Sequence, residues 1–270
     1  MKLFSKKKFR KSIDFDPGKK LLSFCITHQN RFEYLKETLS KNLDDNRSLS
    51  EKIEFVLVDF SLDENIRDWI ASNFIEDIKI GYLKFFQTDT LKKWSASIAK
   101  NTSHMLADGS ILTNLDCDNF VGKNGAEFVI DQFKNSDKEL IFWQYSGVKY
   151  GGSFGRISIS SKVFKEIGGY DESLLEMGWQ DNDLIRRAKA VGLKLLKKND
   201  EKFNQAVKHE KYKPKNMSFE KMNKLNERQA KRNIRKGLLV ANNGSYGISE
   251  RLLKMDSTGE MKAYKPSSIG

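Results

Sequence analysis

Two cysteines in 270 residues leave no room for a disulfide framework. Cys25 falls in a predicted strand and Cys117 between two aspartates. Neither has the spacing of a zinc site, so both are expected as free thiols. Long apolar runs are missing as well. No stretch approaches the roughly 18 consecutive apolar residues that a membrane-spanning helix needs. The charged start has no apolar stretch behind it, so neither a signal peptide nor a membrane anchor is expected. The chain is therefore expected in the cytoplasm. No glycine-rich phosphate loop of the Walker or dinucleotide type occurs, which argues against ATPase and NAD chemistry. Internal repeats are absent, and there are three histidines, His28, His104 and His209.

What is present suits an enzyme-sized fold. With 39% hydrophobic residues, the chain can bury a sizeable core in one domain or two fused lobes. The net charge of +12 is uneven: residues 1–20 carry net +6 and residues 208–236 net +8, leaving −2 for everything else. A near-neutral body with two basic appendages suits a polyanion, such as an anionic leaflet, a nucleic acid or a phosphorylated acceptor. The bland alternative is a solvated lysine-rich face.

Strand and helix patterns alternate. Strands are predicted near 21–26, over Ile53–Asp59 and over Ile78–Phe86. Helices are predicted over 31–43, with Leu35, Leu39 and Leu43 in one stripe, over Glu64–Phe74, and around Trp94, Ile98 and Met105. The second half is less regular. Ile141–Tyr145 and Arg156–Ser160 read as strands, and Ser160 or Ser161 caps a short helix that stops at Gly168-Gly169. A better helix runs from Asp181 to Gly192, and a basic one from Ser218 to Lys236. Such alternation implies a doubly wound, mainly parallel α/β sheet with helices on both faces. The expected divisions are a flexible basic lead (1–20), a nucleotide-binding half (21–120), an acceptor and catalytic half (121–215), the basic helix with its extension (216–253) and a loose tail (254–270).

The chemistry concentrates in two motifs. Thr113-Asn114-Leu115-Asp116-Cys117-Asp118 ends an apolar strand with two carboxylates one residue apart, placed where the strand opens into a loop. Hard oxygens there suit Mn2+ or Mg2+ held against a diphosphate; alone, the pattern reads first as two solvated loop carboxylates. The second motif is Gly168-Gly169-Tyr170-Asp171-Glu172 followed by Met177-Gly178-Trp179-Gln180-Asp181-Asn182-Asp183-Leu184. Together they resemble the Gly-Gly-x-Asp-Glu and Gly-Trp-Gly-x-Glu-Asp-x-Asp-Leu signatures of GT-A glycosyltransferases of the family 2 and galactosyltransferase-like groups. Leu22–Arg31 and Phe55–Ser61 are similar to the first two strands of those enzymes. The ordered similarity spans roughly residues 21–245.

That resemblance implies roles. Asp181 matches the general base of inverting members, although by itself it could simply cap its helix. Gln180 stands where the family usually has Glu, which puts any acceptor contact by that Glu in doubt. Thr27, Arg31 and Asp59 match residues around uracil and ribose, with an Asp accepting from the base N–H. Asp116 would meet the ribose, Asp118 the metal, and His209 would be a further metal ligand. Lys93 is a candidate for the diphosphate or base. His28 is expected near the nucleotide, and His104 is expected to be structural. Trp179 and Trp143 offer aromatic faces to a sugar ring, with core packing as the default for either.

The expected activity is therefore transfer of a sugar from a nucleotide diphosphate donor, most plausibly UDP-linked, to an acceptor hydroxyl, with inversion and a divalent metal. The expected acceptor is a surface glycan such as lipopolysaccharide or capsule, approached at the inner membrane face through the basic ends. Two alternatives stand beside it. One is a phage-type sugar transferase acting on hydroxylated DNA bases, and the other a non-catalytic binding protein on the same fold.

Overall fold

The run Leu22–His28 is apolar without alternation, the signature of a strand covered on both faces, and it forms the centre of the sheet as β1. In the computed structural model, residues 19–145, 154–198, 200–208 and 217–266 are described. β1 pairs in parallel with β2 (Ile53–Asp59) on one side and β4 (Ile111–Asp116) on the other. β2 pairs in parallel with β3 (Leu83–Gln87). Beyond β4 lie β7 (Ile157–Ser160), β6 (Leu140–Trp143) and β8 (Lys194–Lys197); beyond β3 lie β10 (Leu252–Met255) and β11 (Met261–Tyr264). The nine strands form one sheet, in which β7 and β10 run against the rest. A short β5 (Asn119–Phe120) pairs with β9 (Gln205–Ala206).

Side chains of β1 alternate between the two faces. Leu22, Phe24 and Ile26 pack with Leu35, Leu39 and Leu43 of α1 (Phe32–Asn46) and with Val129 and Phe133 of α4 (Gly125–Lys134). Ile66 and Ile70 of α2 (Glu64–Lys79) join the same side. Cys25 points the other way, into a cluster with Val163 of α5 (Ser161–Glu166) and with Leu184 and Ala188 of α6 (Gln180–Ala190). Val56 and Val58 meet Ala99 of α3 (Ala96–Met105). Helices therefore cover both faces, as the alternating pattern predicts. Ser160 is the residue that caps α5, accepting from the Val163 N–H. Both cysteines are buried and free, and burial pushes both thiols up.

Two expectations need correction. Ile78 and Lys79 end α2, and the strand begins at Leu83, because Gly81 takes a left-handed turn (φ 68°) between them. Residues 252–264 form a hairpin instead of a loose tail: Leu253 and Lys254 pair with Gln87 and Phe86, and Tyr264 packs edge-on against Phe86. Asp256 closes the turn by accepting from Thr258 and Glu260, with Gly259 at φ 89°. The halves on either side of residue 120 share one continuous sheet, in which β4 and β7 pair. The basic helix is α7 (Phe219–Arg235), capped by Ser218. Among the described residues no helix is long and apolar enough to cross a membrane.

Candidate active site

The strand order 3-2-1-4 reverses direction between β1 and β4, and open α/β sheets bind ligands at the carboxyl ends of strands beside such a switch. Thr27 lies level with Asp116 there, and His28 level with Asp59. Thr27, Arg31, Asp59, Asp116 and Asp118 thus converge on one edge, as their predicted positions require.

Their partners separate them into two kinds. Asp59 is fully buried; its oxygens accept from His28 Nδ1 (3.0 Å), Ser61 Oγ (2.6 Å) and N–H, Gln87 Nε2 (3.0 Å) and the Asp63 N–H. Burial alone would raise its pKa, yet these donors, His28 foremost, hold it below the ordinary carboxylate value. The Arg31 N–H donates to His28 Nε2, so the network assigns the ring proton to Nδ1. A carboxylate so fully engaged braces the β1 and β2 turns. Asp118 is also engaged: Arg31 Nη1 lies 2.8 Å from Oδ2, and Asn119 Nδ2 lies 2.6 Å from Oδ1.

Asp116 is held differently. Asn114 donates to its Oδ1 (3.1 Å), while Gly155 presses against it so closely that a Cβ there would sit 3.3 Å from Oδ2 and 3.0 Å from Lys100 Nζ. Lys100, on the buried side of α3, donates to Asp181 Oδ1 at 2.7 Å. Burial works against its charge, but Asp181 and Asp116 outweigh that and raise its pKa above the ordinary lysine value. Lys100 therefore ties the strand-end aspartate electrostatically to the first turn of α6. Asp181 does not cap that helix: the capping position is Trp179, and no side chain caps it.

The glycine-rich motif supports this arrangement. Arg187, in α6, donates to Asp183 (2.7 Å) and to the Ile167 and Gly169 carbonyls, locking the helix to the Gly168-Gly169 turn. Burial pushes the Asp183 carboxyl up against the pull of Arg187. A Cβ on Gly168 would lie 2.1 Å from the Ala241 carbonyl, which explains the glycine. Asn101, next to Lys100, bonds the Tyr170 backbone and Glu172. One turn of α3 thus holds both the motif and the candidate base. Gly178 and Trp179 are both left-handed (φ 90° and 69°); the glycine takes this without steric cost, whereas the tryptophan is strained. Its Nε1 is buried with no partner among the described residues.

Several expected contacts fall elsewhere. Gln180 is buried and donates to the Leu175 carbonyl (3.0 Å), which shapes the loop before α6. Lys93 is exposed and ion-paired with Glu176, joining the loops before α3 and α6. Trp143 donates to the Phe154 carbonyl and clusters with Tyr145, Phe154 and Lys197. His104 is structural: it is stacked on Phe164 and bonded to the Lys100 carbonyl, and burial pushes its pKa down to about 3. His209 lies outside the described residues, as does the basic lead through residue 18. Among the described residues no three carboxylate, imidazole or thiol groups converge as a complete metal cage. Sequence reasoning missed Lys100, Asn101, Gly155 and Arg156. Arg156 is buried behind Asp116 and Asp118 and bonds Asn119 and the Phe120 carbonyl; burial lowers its pKa to about 10.

Solved structures share this architecture. S. aureus TarS 1-349 in complex with UDP-GlcNAc superposes with a TM-score of 0.57 at 16% identity, covering 71% of this chain and 60% of that one. The mannosyltransferase PcManGT from Pyrobaculum calidifontis, in complex with GDP-Man and Mn2+, gives 0.52 at 16% identity, covering 72% and 59%. The fold is that of the GT-A glycosyltransferases. This chain spans about 60% of the length of those neighbours. No family model matches the sequence, and no curated protein matches it. Within the GT-A fold, the aspartates at the end of β4 and the start of α6 lie at the sheet edge described above.

Proposed function

We propose that the protein is a glycosyltransferase that moves a sugar from a nucleotide diphosphate donor, UDP-linked, to an acceptor hydroxyl with inversion. The observation that carries this reading is the Asp116, Lys100, Asp181 arrangement at the switch point. The neighbours' UDP-GlcNAc and GDP-Man are consistent with such a donor. In this reading Asp181 takes the proton from the acceptor hydroxyl as its oxygen attacks the anomeric carbon. The bond to the diphosphate breaks on the opposite face, which inverts the centre. Lys100 orients Asp181 and keeps a positive charge beside it.

Asp116 would meet the ribose, with Thr27 beside it and Trp179 lining the sugar side. Asp118 has the hard-oxygen chemistry for Mn2+ or Mg2+, with His209 as its second candidate ligand. Arg31 already neutralises Asp118, so ion and guanidinium would share that carboxylate. The ion would supply charge compensation for the departing nucleoside diphosphate. The pathway that fits is synthesis of a surface glycan, lipopolysaccharide or capsule, at the inner membrane face.

Thermal-shift and calorimetric titration with nucleoside diphosphates and their sugars, in Mn2+, Mg2+ or EDTA, tests the proposal. Metal-dependent stabilisation by one nucleotide class is the expected result. Absence of binding to every nucleotide with metal present would sink it.

A further inference from the structure

α1 and α2 show how this protein treats the outer face of a helix. Each carries two cations, and all four pair with a carboxylate of their own helix: Lys36 with Glu33, Lys41 with Asp45, Arg67 with Glu64 and Lys79 with Glu76. α7 departs from that rule. Its six cations, Lys221, Lys224, Arg228, Lys231, Arg232 and Arg235, are all exposed, and among the described residues only Lys231 has an acidic partner, Glu227.

Helical spacing gathers these cations on one side. At 3.6 residues per turn the six fall within an arc of about 100°. That arc lies opposite the face through which Met222, Asn226 and Ala230 are buried. From Lys221 to Arg235 the stripe is about 21 Å long. Asn226 bonds the Leu175, Met177 and Gly178 carbonyls and Asn233 bonds Asp171, so the helix lies along the body with the stripe turned outward. Arg186 and Lys189 of α6 are exposed beside Lys231 and Arg235 and carry the basic surface onto a second helix.

A row of unpaired cations suits a surface that bears many anions, because each head meets its own counter-charge and none need converge. A bilayer's headgroups and a nucleic-acid backbone both offer such a surface. The apolar neighbours favour the bilayer. Leu225 borders the stripe and is 38% exposed, and Leu238, just past the end of the helix, is 42% exposed. Against a phosphate backbone these side chains gain little, whereas between lipid headgroups they leave water.

We infer that α7 docks the protein on an anionic bilayer, with its cations over the lipid phosphates and Leu225 between the headgroups. The link from this docking to a membrane-borne acceptor rests on the glycosyltransferase reading; the docking itself is measured without it.

Cosedimentation of the full chain with phosphatidylcholine vesicles, with and without phosphatidylglycerol, tests the docking. Binding is expected only with phosphatidylglycerol and should weaken as salt rises. Each cation at such a surface is worth about a fivefold gain in partitioning, so Lys224→Gln, Arg228→Gln, Arg232→Gln together should weaken binding by about 10²-fold. All three side chains are exposed and unpaired, so the thermal unfolding midpoint and nucleotide-sugar binding should not change. The matched control Lys36→Gln, Lys41→Gln, Lys79→Gln should leave vesicle binding within a few-fold of the parent, and Leu225→Ala should lower it a few-fold. The inference falls if the stripe variant binds phosphatidylglycerol like the parent, if the control loses as much, if Leu225→Ala changes nothing, or if a DNA duplex binds more tightly than the vesicles at the same salt. Docking that the stripe variant loses, in a protein that binds no nucleotide sugar, would uphold the role of α7 and overturn the transferase reading. Nucleotide-sugar binding without phosphatidylglycerol binding would do the reverse.

Discussion

The β1–β2–β4 edge and the α6 edge of the site are both rich in carboxylates, yet they use them in opposite ways. At the strand edge, Asp59 accepts from His28, Ser61, Asp63 and Gln87, and Asp118 from Arg31 and Asn119. At the helix edge, Asp181 has one hydrogen-bond partner among the described residues, Lys100, and the neighbouring Trp179 sits in a left-handed conformation with its N–H unpartnered among them. The strand edge is saturated and so pre-organised to hold a ligand. The helix edge is left free to exchange partners, as a base that gains and loses a proton must be.

The sharpest way to break this comparison is to remove one carboxylate from each edge. Asp181→Asn keeps the shape and the bond length but not the basicity, and should lower kcat by about 10²- to 10⁴-fold with nucleotide-sugar binding intact. Asp118→Ala should do the converse, abolishing metal-dependent donor binding measured by calorimetry. Full turnover in both variants would remove the site assignment. Asp59→Ala tests the saturated edge as structure: it strands several buried donors, so unfolding stability should fall by about 3 kcal/mol in a denaturant titration. If stability held and only donor affinity changed, Asp59 would be a nucleotide contact after all.

The two edges also differed in how readable they were. β1 and β2 announce themselves as unbroken apolar runs, and α1 by Leu35, Leu39 and Leu43 at helical spacing, so the parallel core follows from local pattern. The C-terminal hairpin did not, because its strands are four residues each and half polar, and what fixes them is pairing with Gln87 and Phe86, far away in sequence. The turn residues Asp256 and Gly259 were the available signal. In the site, Asp116, Asp118 and Asp181 stood out because motifs place them. Lys100 lies on α3 in an unremarkable stretch; only the tertiary fold brings it between Asp116 and Asp181. Gln180 and Lys93 each have a protein partner, the Leu175 carbonyl and Glu176, that no spacing reveals.

His104 refines the helix edge through pH. Its ring is buried beneath Lys100, and its folded pKa of about 3 lies below the unfolded value near 6.5. The unfolded state therefore binds the proton first as pH falls. Stability is complete above about pH 6.5 and declines toward pH 3, by at most about 1.4 kcal/mol per pH unit. His104→Gln can keep a donor to the Lys100 carbonyl and should flatten that slope. An unchanged slope would mean that other groups dominate acid unfolding.

The smallest effect is expected at Gly155, and it bears directly on how loosely the helix edge is held. A methyl there would approach Lys100 Nζ at 3.0 Å, and Asn114 Nδ2 and Asp116 Oδ2 at 3.3 Å. Each of these atoms is the end of a side chain, so Gly155→Ala should be absorbed by displacing Lys100, the longest of them, at a stability cost below about 1 kcal/mol. Displacing Lys100 shifts the group that orients Asp181 while leaving Asp118 and Arg31 untouched. Turnover should drop a few-fold, on the order of 1 kcal/mol in activation free energy, with KM for the donor unchanged. A rise in donor KM at constant kcat would instead place Lys100 on the donor side of the site.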